Sequence, residues 1–496
     1  MKKLLILLTT CFSVGLFSCE KDDTNRWDYS AEAYLKDSTL YITKLVSLWQ
    51  DNIVPARLND IIDSVKVRNL TQSYKNAEDV LENLIALTPK DPSTGKPYDR
   101  FSFLDRQSVV ADEIQNAQST SFGMYLFYLQ TEESKNDKNN AYLHVRMVDL
   151  NSPAYLAGIR RGDRILSING NSNYDYNTQI KQDFNMLYNA LSLPSLTIKF
   201  KKPSGEEIEK HIAQTMYSIN PIQTYWTKQV DDKKVGYLAF SSFVSITDDK
   251  NNLTPLYNQL ANVFSDFQKE NIKHLIIDLR YNGGGATTTA EYMANTIVPA
   301  SASGKRMYYY KINKFLEEDM GEYFSPVNFL KNGSLELTKV YFLVSSSTAS
   351  ASELVINSLK PYMDVQVIGS ENTYGKPVGF WGIPIGKEKA KADIYVTSFQ
   401  MFNANNYGDY FNGLAPNKLV NEDYFKDFGD MNEGFIAEAL YHIKNGSYST
   451  STKSALSLKD YNRVTQSINL KNINYRASDI GMFKFSNQKV KFKDSY

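Results

Sequence analysis

The sequence predicts a multidomain α+β chain in which a helical cap and a strand-rich middle domain precede an α/β core. Three observations predict it. At about 150 residues per domain, 496 residues make roughly three domains. Apolar residues recur at three- and four-residue steps between 31 and 87, the period of amphipathic helices. From residue 234 onward, short apolar strands alternate with helical stretches, the signature of parallel strands joined by crossover helices. A hydrophobic fraction of 42% and a charged fraction of 22% are ordinary globular values. With 55 basic residues against 55 acidic ones, the chain lacks the basic face that phosphate contacts demand, which argues against a nucleic-acid partner.

At the amino terminus, Lys2 and Lys3 precede a largely apolar run over 4–17. That run is short of the about 20 residues of a membrane span and suits a secretory signal, so export is expected. It ends in Leu16-Phe17-Ser18-Cys19, which resembles the lipobox of bacterial lipoproteins, although Phe17 is bulkier than that box usually carries. The resemblance implies a signal peptide over 1–18, lipidation of Cys19 and anchoring to the outer membrane, each buried acyl methylene contributing about 0.8 kcal/mol. The acidic stretch Glu20-Lys21-Asp22-Asp23 looks like the signal that routes some lipoproteins of the Bacteroides group to the cell surface. A plain cleaved signal, with Cys19 incidental, is the alternative. Cys11 and Cys19 are the only cysteines, so no disulfide, thiolate metal site or cysteine nucleophile is expected in the folded body.

After a linker over 19–30, the helical cap is placed at 31–115, with a loop at 88–98 marked by three prolines and Asp91-Pro92-Ser93-Thr94-Gly95. The middle domain, 116–215, reads as strands near 124–129, 141–148, 164–168, 196–201 and 208–212, interrupted by a helix around 179–191. Within it, Ser152-Pro153-Ala154 and the run from Ala157-Gly158 through Arg161-Gly162-Asp163 to Asn169-Gly170 resemble the bacterial PDZ signature. In that family a peptide's terminal carboxylate sits on the amides of a glycine-containing loop and the peptide adds as a strand. Phe122, Gly123, Met124 and Tyr125 are where that loop falls; a PDZ fold kept only as a rigid spacer is the other reading. The core is placed at 216–445, and a Ser-, Lys- and Asn-rich peripheral tail at 446–496.

Three elements of the core carry chemistry. An apolar strand over 340–344 runs into a serine-rich turn, Ser345 to Ser352, ahead of a helix at 351–359. A hydroxyl there meets free helix amides and the positive end of the dipole, which favour an oxyanion. Ser350 and Glu353 equally suit an ordinary capping box. Second, Lys376 follows Gly375 after a buried strand, where desolvation would lower its pKa and let the neutral amine take a proton from serine. Third, Asp278-Leu279-Arg280-Tyr281-Asn282-Gly283-Gly284-Gly285 ends another strand, and its glycine amides can supply an oxyanion donor.

Taken in order, these elements resemble the C-terminal processing peptidases, also called tail-specific proteases. Ser350-Ala351-Ser352-Glu353, Tyr374-Gly375-Lys376 and the 278–285 stretch match that family's motifs, Ser350 and Lys376 standing 26 apart. Asp99-Arg100-Phe101-Ser102-Phe103-Leu104 ahead of the PDZ region and Gly413-Leu414-Ala415-Pro416-Asn417 match further ones. The resemblance implies a crotonase- or ClpP-like core with Ser350 as nucleophile, Lys376 as general base, and the amides of Gly284 and Ala351 as oxyanion hole. It also implies polypeptide substrates with accessible C-terminal tails; no cofactor is expected, and no spacing of His, Asp and Glu suggests a metal site. One departure is Phe380, which stands where many members carry a glutamine that orients the lysine. A catalytically weak or inactive surface peptide-binding protein of the same fold is therefore the rival reading. His144, His211, His274 and His442 fall in strands or at a helix end, away from any nucleophile context, and Ser352 is the rival nucleophile if the register is misread.

Overall fold

The computed structural model describes residues 28, 30–130, 140–387, 389–450 and 482–484. The signal segment, Cys19 and most of the tail lie outside them. The cap consists of helices Ala31–Val46, Ser64–Thr71 and Ala77–Ala86, begun by the side chains of Ser30, Asp63 and Asn76, each of which accepts a first-turn amide. Their apolar faces join the main core, where Leu35, Leu45 and Leu81 pack in one cluster with core residues such as Ile383 and Ile394. The cap is therefore part of the core's packing.

The PDZ region forms a five-stranded antiparallel sheet in the order Met124–Leu129, Tyr142–Val148, Arg164–Ile168, Ser195–Lys201, Glu207–Ala213, within a residue or two of expectation. Met124–Leu129 is an edge strand of this sheet. The helix expected over 179–191 is broken: only Tyr176–Gln179 and Asn185–Leu191 are α-helical, separated by the turn Ile180–Gln182 and by Asp183 and Phe184 in left-handed conformation. The break turns the Phe184 ring onto Tyr128 and Tyr176, so aromatic burial overrides the local helical pattern.

The core is built on a six-stranded sheet in the order Lys418–Leu419, Asp364–Gly369, Lys339–Val344, His274–Asp278, Lys233–Phe240, Ile222–Val230. All neighbours are parallel except the last pair. Side chains alternate between its faces. Leu238, Ile277 and Phe342 meet Leu260, Met293 and Ile356 of helices Pro255–Lys269, Thr287–Ile297 and Ala351–Leu359, while Tyr237, Ile276 and Tyr341 meet Phe435 and Ala439 of helix Gly434–Asn445.

Beside the short pair Gln118–Ser121 with Thr215–Ser218, two larger sheets have no counterpart in the sequence reading. One orders Val327–Asn328, Arg306–Ile312, Phe399–Asn403 and Val378–Gly379; the other pairs Ala390–Tyr395 with Gly382–Lys387 and with Phe103–Asp105, which fastens the segment before the PDZ region to the core. The tail also differs from its peripheral assignment at one place. Met482–Phe483 pairs in parallel with Gly285–Ala286, and both its side chains are buried among apolar core residues.

Candidate active site

The strand Lys339–Val344 delivers the chain to a sharp corner. The turn after it is stitched to the end of the neighbouring strand. Thr348 Oγ1 donates to Leu279 O at 2.7 Å, Ser345 Oγ donates to Arg280 O, and Ser352 Oγ donates to Asn282 O at 2.9 Å. At the corner itself Ser350 adopts φ 62°, ψ −112°, a left-handed conformation that costs a non-glycine residue roughly 1–3 kcal/mol and survives only where its surroundings enforce it. Helix Ala351–Leu359 follows at once. Ser350 is fully buried, and its Oγ has no hydrogen-bond partner. Ser350 Oγ thus makes no hydrogen bond to Lys376 Nζ in this structure, although it stands at a helix start where free amides and the dipole favour an oxyanion.

Glu353, one turn into that helix, organises the rest. One carboxylate oxygen, Oε2, accepts from Ser350 N and from Lys376 N, both at 2.8 Å. The other accepts from Gly375 N at 2.8 Å and from Thr373 Oγ1. The backbones of Ser350 and Lys376 thus share one oxygen, and their nitrogens lie no farther apart than twice that bond. Glu353 does cap the helix, as the box motif suggests, but the same carboxylate also fixes the lysine. Burial raises its pKa, and the four donors oppose that rise.

Lys376 is fully buried. Gly375 before it has φ +87°, and a side chain there would run into Phe411 O, so only glycine lets the chain turn inward. Burial drives the ammonium's pKa well below the ordinary lysine range, against the opposing charges of Asp99 and Glu353. The Nζ sits 3.8 Å from the centroid of the Phe380 ring and 5.1 Å from that of Phe101. Phe380, the departure from the glutamine pattern, is therefore in direct contact with the amine as a cation–π face. Asp99 is buried too, and accepts from Ser102 Oγ at 2.7 Å and Thr397 Oγ1 at 2.9 Å. Its neighbour Arg100 donates to Gly375 O and Phe411 O.

Glu353 and Asp99 are the residues to which the sequence assigned no catalytic part. Glu353 was legible only as a cap. Asp99 stood within a family-like stretch, but no local rule joins it to a lysine so distant in the chain.

The glycine run lies beside the serine corner, joined to it by Ala349 N donating to Asn282 O. Gly285 takes φ +136°, and a Cβ there would strike Phe243 O, which keeps the backbone flat against that segment. The Gly284 amide, however, already donates to Asn282 Oδ1 at 2.9 Å. It can serve an oxyanion only by exchanging that partner. Ala351 opens the helix, where first-turn amides have no intrahelical acceptor.

The loop assigned to peptide binding, 122–125, leads into the edge strand of the PDZ region, and the Gly123 amide donates to Ser121 Oγ at 3.1 Å. Gly123 has φ +71° with Ser152 packed where a side chain would go, and Phe122, Met124 and Tyr125 are buried as they lead into the edge strand. Its edge is the side to which a peptide strand could add.

Comparison with known proteins agrees with this architecture. The pattern of peptidase family S41 matches residues 234–420, and that of the PDZ domain matches residues 144–191. Carboxy-terminal processing protease CtpB of Bacillus subtilis is 25% identical over 347 residues, which cover 65% of this chain and 65% of that protein. Carboxy-terminal processing protease CtpA of the same organism is 26% identical over 242 residues, 45% of this chain and 42% of the relative. The matched region thus spans under two thirds of these relatives' lengths. Among solved structures, an S41-assigned chain from Bacteroides fragilis superimposes with a TM-score of 0.59 at 22% identity, covering 83% of this chain and 97% of that one, a likeness of fold.

Proposed function

We propose that this chain, whose residues 234–420 match the pattern of peptidase family S41 and 144–191 that of the PDZ domain, is a serine endopeptidase that cleaves polypeptides with a Ser350–Lys376 dyad. The observation that carries the reading is the corner itself: a strained, buried Ser350 whose backbone shares one Glu353 oxygen with a buried lysine of depressed pKa. Neutral Lys376 takes the proton as Ser350 Oγ attacks the scissile carbonyl. The tetrahedral oxyanion is met by the Ala351 amide and, once it leaves Asn282, by Gly284. The lysine then protonates the leaving amine, and water hydrolyses the acyl-enzyme. The PDZ domain binds the substrate's C-terminal tail at the Phe122–Gly123–Met124–Tyr125 loop and the adjoining edge strand. The chain is exported and lipid-anchored at Cys19 to the outer membrane, a reading supported by the sequence motif alone.

The test is cleavage of a disordered protein by purified wild type, Ser350→Ala and Lys376→Ala. Loss of at least about 1,000-fold in both variants is expected, in the range reported when one member of a catalytic unit is removed. Equal cleavage by all three would overturn the dyad, and a wild type that neither cleaves nor reacts with a fluorophosphonate at Ser350 would favour the peptide-binding alternative. Phe380 in place of the orienting glutamine is the feature that keeps that alternative in view.

A further inference from the structure

The tail residues Met482–Lys484 lie in a slot of the catalytic core that backbone groups line on both sides. On one side is Gly285–Ala286, directly after the Gly284 amide. On the other is Phe380, whose N–H donates to Met482 O at 3.1 Å and whose carbonyl accepts from Lys484 N at 3.1 Å. The far edge of Gly285–Ala286 is already taken by Phe243, so 482–483 fills the edge that remains. Strand pairing of this kind reads any extended peptide and leaves selection to side-chain pockets.

Two such pockets are filled. The Phe483 ring packs against Phe380 and Tyr395, centroids 5.1 and 5.4 Å away, in one cluster with Val378 and Ala286. The Lys484 ammonium donates to Tyr310 Oη at 2.9 Å and Tyr323 O at 2.7 Å and lies over the rings of Tyr310 and Tyr323. The ring that holds Phe483 is the ring on which Lys376 rests. We propose that this slot is a peptide-strand subsite of the core, selective for an aromatic side chain followed by a basic one, and that the chain's own Met482–Lys484 occupies it as an intramolecular inhibitor. The inference rests on the peptidase reading for its inhibitory part, whereas the binding part stands on the slot alone.

The experiment uses the full chain, with Phe483→Asp and the milder Lys484→Ala as variants. Two readouts are taken: the rate of Ser350 labelling by a fluorophosphonate, and the binding in trans of a fluorescent peptide with the sequence of residues 478–488. Both variants are expected to label about 10-fold faster or more, to bind the peptide where wild type does not, and to be slowed again by it, a scrambled peptide doing neither. Wild-type labelling with no peptide binding in either variant overturns the proposal while leaving the peptidase reading intact. Slower labelling with a lowered melting temperature in both variants also overturns it, since the strand would then be a structural part of the fold. If no form labels at all, the dyad reading fails and peptide binding alone decides whether the slot is a subsite.

Discussion

Phe380 converts an apparent defect into a testable device. A ring face 3.8 Å from Lys376 Nζ stabilises the ammonium, worth roughly 2 kcal/mol when the pair is desolvated, and so works against burial, the larger influence, which lowers the pKa. In the proposed dyad only neutral lysine accepts the serine proton, so activity should fall on an acid limb as the pH drops through the depressed pKa. Replacing Phe380 with leucine removes the ring's support for the charged form, lowers that pKa further, and should move the acid limb of kcat/KM to lower pH; a move to higher pH would refute the cation–π role. The same burial carries a stability cost. Between the folded and unfolded pKa values of Lys376 the unfolded chain binds more protons, so stability rises with pH across that window, and below it the penalty is fully present. Lys376→Met, similar in volume, should abolish activity yet raise stability at pH 7 by about 1 kcal/mol, with a smaller rise between pH 7 and 9 than wild type shows; urea midpoints at the two pH values check both signs.

At the scale of the element, the strand-to-helix corner was legible because it is local. A buried apolar strand, a serine run and a glutamate three residues after Ser350 declare the turn, and Tyr374-Gly375-Lys376 declares the second loop. What locality hid is that Glu353 serves both. Its two oxygens take donors from Ser350, Thr373, Gly375 and Lys376, so a glutamine in its place must turn an NH2 toward at least one of these donors. Each buried donor left unmet costs about 1–3 kcal/mol. Glu353→Gln should therefore destabilise the chain by about that amount and lower kcat by 10-fold or more with a smaller effect on KM, since the residue touches no substrate. Steady-state kinetics with thermal melts separate the two effects, and a stable variant with unchanged kcat would refute the positioning role. The strands 306–312 and 399–403 escaped notice for a related reason. Apolar residues there are interleaved with tyrosines and polar ones, as in Arg306-Met307-Tyr308 and Phe399-Gln400-Met401, and the two strands pair across almost a hundred residues, whereas the central strands are buried on both faces and read as unbroken apolar runs.

Across the whole molecule, the segments that the sequence reads as three successive domains interlock in space. The cap feeds the main core, and Phe103–Asp105 joins a core sheet. The PDZ region reaches the six-stranded core sheet through Arg161, which belongs to the signature run and was read there only as part of a motif. Its guanidinium pairs with Glu422 at 2.7 Å and donates to Tyr281 Oη at 2.7 Å, and Glu422 pairs in turn with Arg280 at 3.2 Å. Arg280 closes the network on Asp278 at 2.7 Å and Glu433 at 2.8 Å, and all of its charged members are buried. Burial works against the ionised form of Glu422, yet the charges of Arg161 and Arg280 hold its pKa below the usual carboxylate range. A depressed carboxylate lends stability that is present above its unfolded pKa and lost as pH falls through the folded one. Arg161→Met removes one of the two cations and leaves the carboxylate buried with the other, a loss of about 3 kcal/mol if nothing replaces the pair. The loss should appear first where the PDZ region meets the core. Hydrogen exchange of 144–191 and of 418–431 should quicken in the variant, while the sheet strands 274–278 and 339–344 keep their protection, and the variant should resist acid less well than wild type. Equal protection in both forms, with unchanged acid stability, would mean that the PDZ domain is held to the core by apolar and backbone contacts alone.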